Sequence, residues 1–309
     1  MRNKLLPLIF KLAGPLAPAA AGRLAFNRFC SPPRRLADAR GHDRIEAAMA
    51  PLFARAQTHT IAHPNGTVAA YLWRQGGLAA KGRVLLLHGW SADARVMGLF
   101  VDPLLKAGFD VVALDLPAQG RSSGRYLNMP LGARAVLAVD RVLGPITAAV
   151  THSFGGPIAA LAAEGGLPLD VAFRNLQHLV LIASPNRLTA MADAFANRHA
   201  MPDSVRWQFK LELERAMHRP IETVEVGRFV AAFGRPTLII HDEADEDVPF
   251  ERAEAIVASA PNAILMRTNG LGHRRIVITP AVIRATVRFV AGVTPATLGA
   301  GRVAANSTP

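Results

Sequence analysis

Residues 151–156 read Thr-His-Ser-Phe-Gly-Gly and follow the apolar run Thr147–Val150. A serine that leaves such a run straight into glycines has the look of a nucleophile displayed on a tight turn. Its hydroxyl becomes reactive when an imidazole takes its proton and a third group orients the imidazole. Both partner types stand after other apolar runs. Leu87 is followed by His88-Gly89-Trp90, Leu114 by Asp115-Leu116-Pro117, and Ile240 by His241-Asp242-Glu243-Ala244-Asp245. Beyond Met266 comes Gly270-Leu271-Gly272-His273. Serine, carboxylate and imidazole candidates therefore follow one another in the order Ser, Asp, His.

Positioning them falls to the runs themselves: Val84–Leu87, Val111–Leu114, Thr147–Val150, Leu179–Ile182, Thr237–Ile240 and Ala263–Met266. They are short, continuously apolar and bounded by Gly, Pro, Asp or Ser, as strands buried on both faces should be. Helical patterns such as Met97–Lys106 and Gly132–Leu143 separate them. This alternation predicts an α/β fold with a mostly parallel central sheet and helices on both faces. In such sheets functional groups gather beyond the carboxyl ends of the strands, where all the candidates lie. Thr58–Trp73 alternates around Asn65-Gly66, a hairpin signal that predicts an antiparallel edge. From Ser184 to Pro236 no strand signal appears. The helical pattern at 205–219, with Asp203 or Ser204 as N-cap, predicts a small helical cap at about 185–236.

Five segments together resemble the α/β-hydrolase family over roughly residues 60 to 285: LLLHGW (85–90), DLPAQGRS (115–122), THSFGG (151–156), HDEADEDVP (241–249) and GLGH (270–273). The resemblance, closest in type to serine esterases of a lysophospholipase-like branch, implies Ser153 as nucleophile on an elbow after the fifth strand. It implies His273 as the base that takes and returns the proton. Asp242 and Asp247 compete with Asp245 for the orienting role; the family spacing to Val248-Pro249 selects Asp245. The backbone N–H groups of Trp90 and Phe154 would form the oxyanion hole. One position departs from the pattern, because Thr151 stands where the family usually has glycine. Threonine is small and β-branched, suits the end of a strand, and could be accommodated by a slightly displaced helix beneath it. His88 reads as a backbone-shaping residue, His152 as a packed or hydrogen-bonded histidine on the other side of its strand, and His241 as structural.

The expected activity is that of a serine hydrolase cleaving a carboxylic ester through an acyl-enzyme. Thioesterase, amidase, lactonase and acyltransferase chemistry stay open on the same residues, as does a catalytically idle binding scaffold. Trp90 and Phe154, with Met191, Phe195, Trp207 and Phe209 from the insertion, suggest an apolar or acyl-chain substrate. No HExxH or CxxC motif, ligand-spaced carboxylate cluster or glycine-rich phosphate loop occurs, so neither metal nor cofactor is expected.

Charge is concentrated at the start of the chain. Of a net +12, residues 1–44 carry +7, with nine Lys or Arg against Asp38 and Asp43. The body shows no basic stripe interleaved with aromatics, which argues against nucleic acid as a partner. The expected organisation is a basic, apolar arm at 1–44, a hydrolase body at 45–290 and a flexible tail at 291–309. Three readings of the arm stay open: a helix packed on the protein's own surface, peripheral membrane contact through residues 1–30, or a cleaved signal ending near Ala19-Ala20-Ala21-Gly22. The single cysteine, Cys30, suits a reducing compartment, so a cytoplasmic protein peripheral to the membrane is one expectation.

Overall fold

The computed structural model describes residues 5–14, 16–33, 39–77, 79–169, 171–293 and 303–304. Its centre is a sheet built from β1 (Gln57–His63), β2 (Gly66–Trp73), β3 (Arg83–Leu87), β4 (Asp110–Leu114), β5 (Ala148–His152), β6 (His178–Ile182), β7 (Thr237–Asp242), β8 (Ala263–Asn269) and the two-residue β9 (Val303–Ala304). The order is β1-β2-β4-β3-β5-β6-β7-β8-β9. Only β1 and β2 run antiparallel to their neighbours; β4 through β9 pair in parallel. The fold expected from the strand–helix alternation is the fold observed, including the antiparallel edge that turns at Pro64-Asn65 into Gly66.

The continuous apolar runs are needed because both faces of the sheet are covered. Leu85 and Leu87 of β3 face one apolar layer, and Val84 and Leu86 face the other. The first layer holds α5 (Met129–Leu143), α6 (Gly155–Glu164) and α9 (Val226–Phe233). The second holds a 3-10 segment, Ala94–Phe100, leading into α4 (Val101–Lys106), together with α12 (Pro280–Val290). The helix expected at Met97–Lys106 is thus 3-10 over its first half, with Asp93 capping Arg95 N–H.

Between β6 and β7 the chain inserts α7 (Leu188–Arg198), α8 (Asp203–Met217), a 3-10 turn at Ile221–Thr223 and α9. α7 and α8 form the outer part, while α9 packs against α6 and α10 (Glu251–Ser259) of the body. The N-cap of α8 is Pro202, not Asp203 or Ser204, and no side chain caps it. Asp203 is instead the first helical residue, where its charge still suits the helix N-terminus.

The N-terminal arm is helical. α1 (Leu5–Ala13) and α2 (Pro18–Phe29) precede α3 (Ala39–Ala54), which runs across the expected boundary at residue 44. α2 lies along α8, and the Ala19–Gly22 stretch is part of that helix, with Ala21 and Gly22 buried. Phe29 of α2 meets Phe195 of α7 and Phe209 of α8 edge-on, with ring centroids 5.3 and 5.4 Å away. Among the described residues no helix is long and apolar enough to cross a membrane. Apart from residues 291–293 and 303–304, the expected tail lies outside the described residues.

Candidate active site

β3 is flanked by β4 on one side and β5 on the other, so the chain leaves the two neighbouring crossovers in opposite directions at this point. That is where an open parallel sheet makes its crevice. Ser153 stands immediately beyond β5, with φ at +50°. A non-glycine residue in the left-handed region costs on the order of 1–3 kcal/mol and persists only when its surroundings over-determine it. Here Ser153 N–H donates to the Ile182 carbonyl (2.9 Å), and Gly156 N–H donates to the Ser153 carbonyl (2.9 Å). Three glycines make the space. A Cβ on Gly155 would lie 2.7 Å from the His88 carbonyl oxygen, one on Gly156 2.3 Å from Ser184 Oγ, and one on Gly89 2.8 Å from Ser153 Cβ. Thr151 creates no comparable conflict: it is fully buried, and its hydroxyl donates to the Val180 carbonyl at 3.0 Å.

His273 belongs to α11 (Gly272–Arg275), a single turn after Gly270 and Gly272, both at positive φ. Its Nε2 is 3.0 Å from Ser153 Oγ, and its Nδ1 is 2.8 Å from Asp245 Oδ2. Facing a carboxylate, Nδ1 carries the proton, which leaves Nε2 to accept from the serine hydroxyl. Asp245 is buried, and its other oxygen accepts from the N–H groups of Asp247 and Val248 at 2.9 and 2.8 Å. Burial works to raise its pKa but is outweighed by the His273 and Val248 hydrogen bonds and the neighbouring imidazoles, so the carboxyl titrates below its usual range.

The two competing carboxylates are placed differently. Asp247 is exposed and meets Asp245 only through its backbone. Asp242 is fully buried and accepts from Ala244, Leu271 and Gly272 N–H and from Thr268 Oγ1 at 2.7–3.0 Å. Burial opposes its charge, but these four donors prevail and hold its pKa low. Asp242 thus fixes the loop that carries His273 and leaves no oxygen for the imidazole.

The three other histidines of this rim hold backbone. His88 Nδ1 donates to the Gly89 carbonyl (2.8 Å) while Nε2 accepts from Leu116 N–H (2.9 Å), tying the loop after β3 to the loop after β4. His241 Nε2 donates to the Val248 carbonyl (2.9 Å) beneath the acid loop. His152 is the packed and hydrogen-bonded histidine that the sequence suggests, and it meets the loop that carries His273. Its Nε2 donates to the backbone carbonyl of His273 (2.8 Å), with ring centroids 4.9 Å apart. The tight turn at Ser153 carries the chain sharply round, so alternation along β5 does not predict which neighbours His152 meets. Burial and the adjacent His273 push its pKa down to about 3, so it remains neutral. Asp115, the carboxylate that follows β4 in the DLPAQGRS segment, has no role assigned from the sequence. It accepts from Ala94 N–H, Tyr71 Oη and Arg121 N–H at 2.8–3.0 Å, and so holds three segments around the mouth of the site.

Neither the Trp90 N–H nor the Phe154 N–H has a hydrogen-bond partner among the described residues. The two side chains meet edge to face, with ring centroids 5.4 Å apart. The other expected substrate contacts divide. Met191 and Phe195 are partly buried against the apolar layer beneath the cap, Phe195 within the Phe29–Phe209 cluster. Trp207 is 56% exposed and, with Ala192, Ala196, Phe209 and Ile221, lines a separate cap pocket of ≈ 340 Å³ that does not include Ser153. No group of three or more metal-ligating side chains occurs among the described residues.

Comparison with known proteins bears on the fold. The chain is 22% identical over 227 residues to the AB hydrolase superfamily protein YisY of Bacillus subtilis, covering 62% of this chain and 84% of that protein. The Pyrococcus furiosus esterase Pf2001 superposes with a TM-score of 0.59 at 18% identity, over 85% of this chain and 96% of its own. A membrane phospholipase A, described as a bacterial virulence factor, superposes with a TM-score of 0.59 at 21% identity, over 95% of this chain and 99% of its own. Residues 84–286, which span every strand from β4 to β8 and all the rim residues from His88 to His273, match the sequence profile of the Alpha/beta hydrolase family. The chain belongs to that family.

Proposed function

We propose that the protein is a serine hydrolase that cleaves carboxylic esters with an apolar acyl part through an acyl-enzyme intermediate. One observation carries the reading: the contacts Ser153 Oγ···Nε2 His273 Nδ1···Oδ2 Asp245, at 3.0 and 2.8 Å, on a serine held at positive φ. Ser153 Oγ attacks the ester carbonyl as His273 takes its proton, and Asp245 stabilises the imidazolium. The negative charge that develops on the carbonyl oxygen is met by the Phe154 and Trp90 N–H groups. His273 then returns the proton to the departing alkoxide, leaving Ser153 acylated. A water, deprotonated by the same imidazole, releases the acid. The Trp90–Phe154 ring pair and the partly buried Met191 and Phe195 support an apolar acyl group.

The test is labelling with a fluorophosphonate, followed by turnover of p-nitrophenyl esters of increasing acyl length. Labelling of the full chain that is absent in Ser153→Ala, with hydrolysis falling at least about 10⁴-fold in that variant, is the expected result. Folded protein that neither labels nor turns over any ester would sink the reading in favour of a binding scaffold. Labelling with transfer to an added alcohol or thiol, but no net hydrolysis, would move it to acyltransfer.

A further inference from the structure

The packing of the N-terminal arm leaves one face unpartnered. Inward, α1 and α2 are built into the protein: Phe10 is fully buried, Ala21 and Ala25 join the main apolar layer, and a Cβ on Gly22 would fall 2.4 Å from Gln208 Cβ of α8. Cys30, at the end of α2, accepts on its carbonyl from Leu127 N–H (2.7 Å), which ties the arm to the loop before α5. Outward, the same segment exposes Leu8 (51%), Ile9, Leu12 (63%), Leu16 (87%) and Leu24. Five of the exposed large apolar side chains thus fall within seventeen consecutive residues, whereas those of the body are spread along the chain, with no more than the pair Leu167 and Val171 close together. A clustered apolar face of this kind marks an interaction surface.

Charge selects the partner. The first 37 residues contain seven Lys or Arg and no Asp or Glu. Lys11 lies on the exposed side of α1 between Ile9 and Leu12, and Arg23 is 71% exposed beside Leu24, with its Nε 3.7 Å from Glu212 Oε1 of α8. Large aliphatic side chains interleaved with basic ones, on a segment that contributes no acid of its own, are complementary to a surface that is apolar at depth and negatively charged on top. A protein partner for such a face would need an apolar groove rimmed by carboxylates; a bilayer bearing anionic lipid supplies both properties over any area. Among the described residues α1 has nine, fewer than the about 20 that a crossing needs.

We propose that the protein docks on anionic membrane surfaces through α1 and the α1–α2 junction, with Leu8, Ile9, Leu12 and Leu16 entering the interface and Lys11 and Arg23 meeting lipid headgroups. Because α2 is packed along α8, docking brings the cap, and not the opposite side of the sheet, towards the lipid. The surface is independent of the chemistry at Ser153, so either reading can fail without the other.

The experiment is co-sedimentation of the full chain with vesicles of phosphatidylcholine alone and of phosphatidylcholine with 30% phosphatidylglycerol, about an order-of-magnitude affinity difference being expected between them. The Leu12→Asp/Leu16→Asp variant should lose at least about tenfold in partitioning to the anionic vesicles, while its thermal unfolding and its turnover of a water-soluble short-chain ester stay unchanged. Lys11→Glu should weaken binding less, and added salt should abolish the difference from wild type. Equal sedimentation of wild type and the leucine variant overturns the proposal, as does equal binding to both vesicle types. A concentration-dependent dimer that disappears in the leucine variant, without vesicle binding, would assign the face to a second copy of the chain and also overturn it. Leucine-dependent binding by a protein that hydrolyses nothing would uphold the docking surface and defeat the hydrolase.

Discussion

Two glycines in this molecule stand where a neighbouring element leaves no room for a methyl group, yet their surroundings differ in kind. Gly155, beside the serine turn, faces the carbonyl oxygens of Leu87 and His88, at 2.8 and 2.7 Å from where a Cβ would lie. Gly22, on the arm, faces Gln208 and the backbone N–H of Phe209 on α8. The first obstacle is the end of a central strand, paired on both sides and unable to retreat. The second is a surface helix lying against another, which can separate by a fraction of an ångström. At the rim of the sheet position is dictated by backbone and by buried polar groups whose hydrogen bonds are directional. Between arm and cap it is dictated by apolar contacts, which tolerate sliding. The chemistry proposed above is therefore assigned to the part that cannot adjust, and the arm–cap layer is the part that can.

The widest separation of the two regions should come from the glycines themselves. Gly155→Ala forces the strand end and the serine turn apart; displacement of reacting groups by even ~1 Å costs about 100-fold, so turnover of a short ester should fall at least that far. Gly22→Ala should leave the same turnover within about twofold and change only the preferred acyl length, read from the p-nitrophenyl series. Equal losses in the two variants would show that arm and rim form one rigid unit, and the distinction drawn above would go.

A second, smaller effect probes how the rim holds His273. His152 touches neither the serine hydroxyl nor the carboxylate, but its N–H holds the His273 carbonyl. His152→Ala should lower kcat by about tenfold with KM for a short ester unchanged, because a looser imidazole is less often aligned. His152→Asn keeps a donor near the same place and should recover part of the loss. If kcat is indifferent to both substitutions, the backbone of the loop holds His273 unaided through Asp242.

How much of this was legible in the residues follows from the same contrast. The strands and the candidate residues beyond them could be read because each leaves a local mark, an apolar run and then a charged, hydroxyl or imidazole residue; the roles of Ser153, Asp245 and His273 came from the resemblance to the α/β-hydrolase family. Asp242 and Asp245 are only three apart and chemically identical, so their division of labour depends on a loop path that residue types do not encode. That His152 is packed and hydrogen-bonded was legible, but not its partner, because strand alternation ceases to apply one residue before the turn. The arm's packing was the least legible. Whether Leu8, Phe10 or Leu12 turns inward is decided by where α8 lies, and α8 is about two hundred residues away in the chain. Once Phe10 and Gly22 are seen to face inward, the exposed leucines identify themselves.

Protonation offers a third probe, centred on the rim, although burial also lowers the pKa of His63, His178 and His199 elsewhere. Burial holds His88, His152 and His241 below the ordinary imidazole pKa, His152 at about 3. Below about pH 6.5 the unfolded chain binds protons that the folded chain refuses. Stability therefore falls as pH drops, by up to about 1.4 kcal/mol per pH unit for each fully buried histidine. Asp242 and Asp245 act lower: their depressed pKa values contribute stability that is complete above about pH 4 and lost only as pH falls through the folded values. Urea unfolding at pH 7.5, 6.0 and 5.0 should show declining stability across a range in which those carboxylates remain charged. His152→Asn should flatten the slope. A pH-independent midpoint over this range would mean that these histidines accept protons in the folded state.

The smallest effect concerns Thr151, the residue that departs from the family pattern. Were it a strain on the serine turn, replacing it with glycine would relieve the strain and raise turnover. Its surroundings argue the opposite, since the side chain is fully enclosed and its hydroxyl is used by the Val180 carbonyl. Thr151→Val keeps the shape and loses one hydrogen bond, which should cost about 1 kcal/mol. Thr151→Gly also empties the space and frees the unfolded backbone, for a cost of about 2–3 kcal/mol. Neither should change turnover by more than about threefold at a temperature where both are folded, because Ser153 is positioned by Ile182, Gly155 and Gly156 and not by residue 151. A Thr151→Gly variant that was both stable and tenfold faster would place this threonine among the determinants of the turn, and the rim would then be adjustable at residue 151.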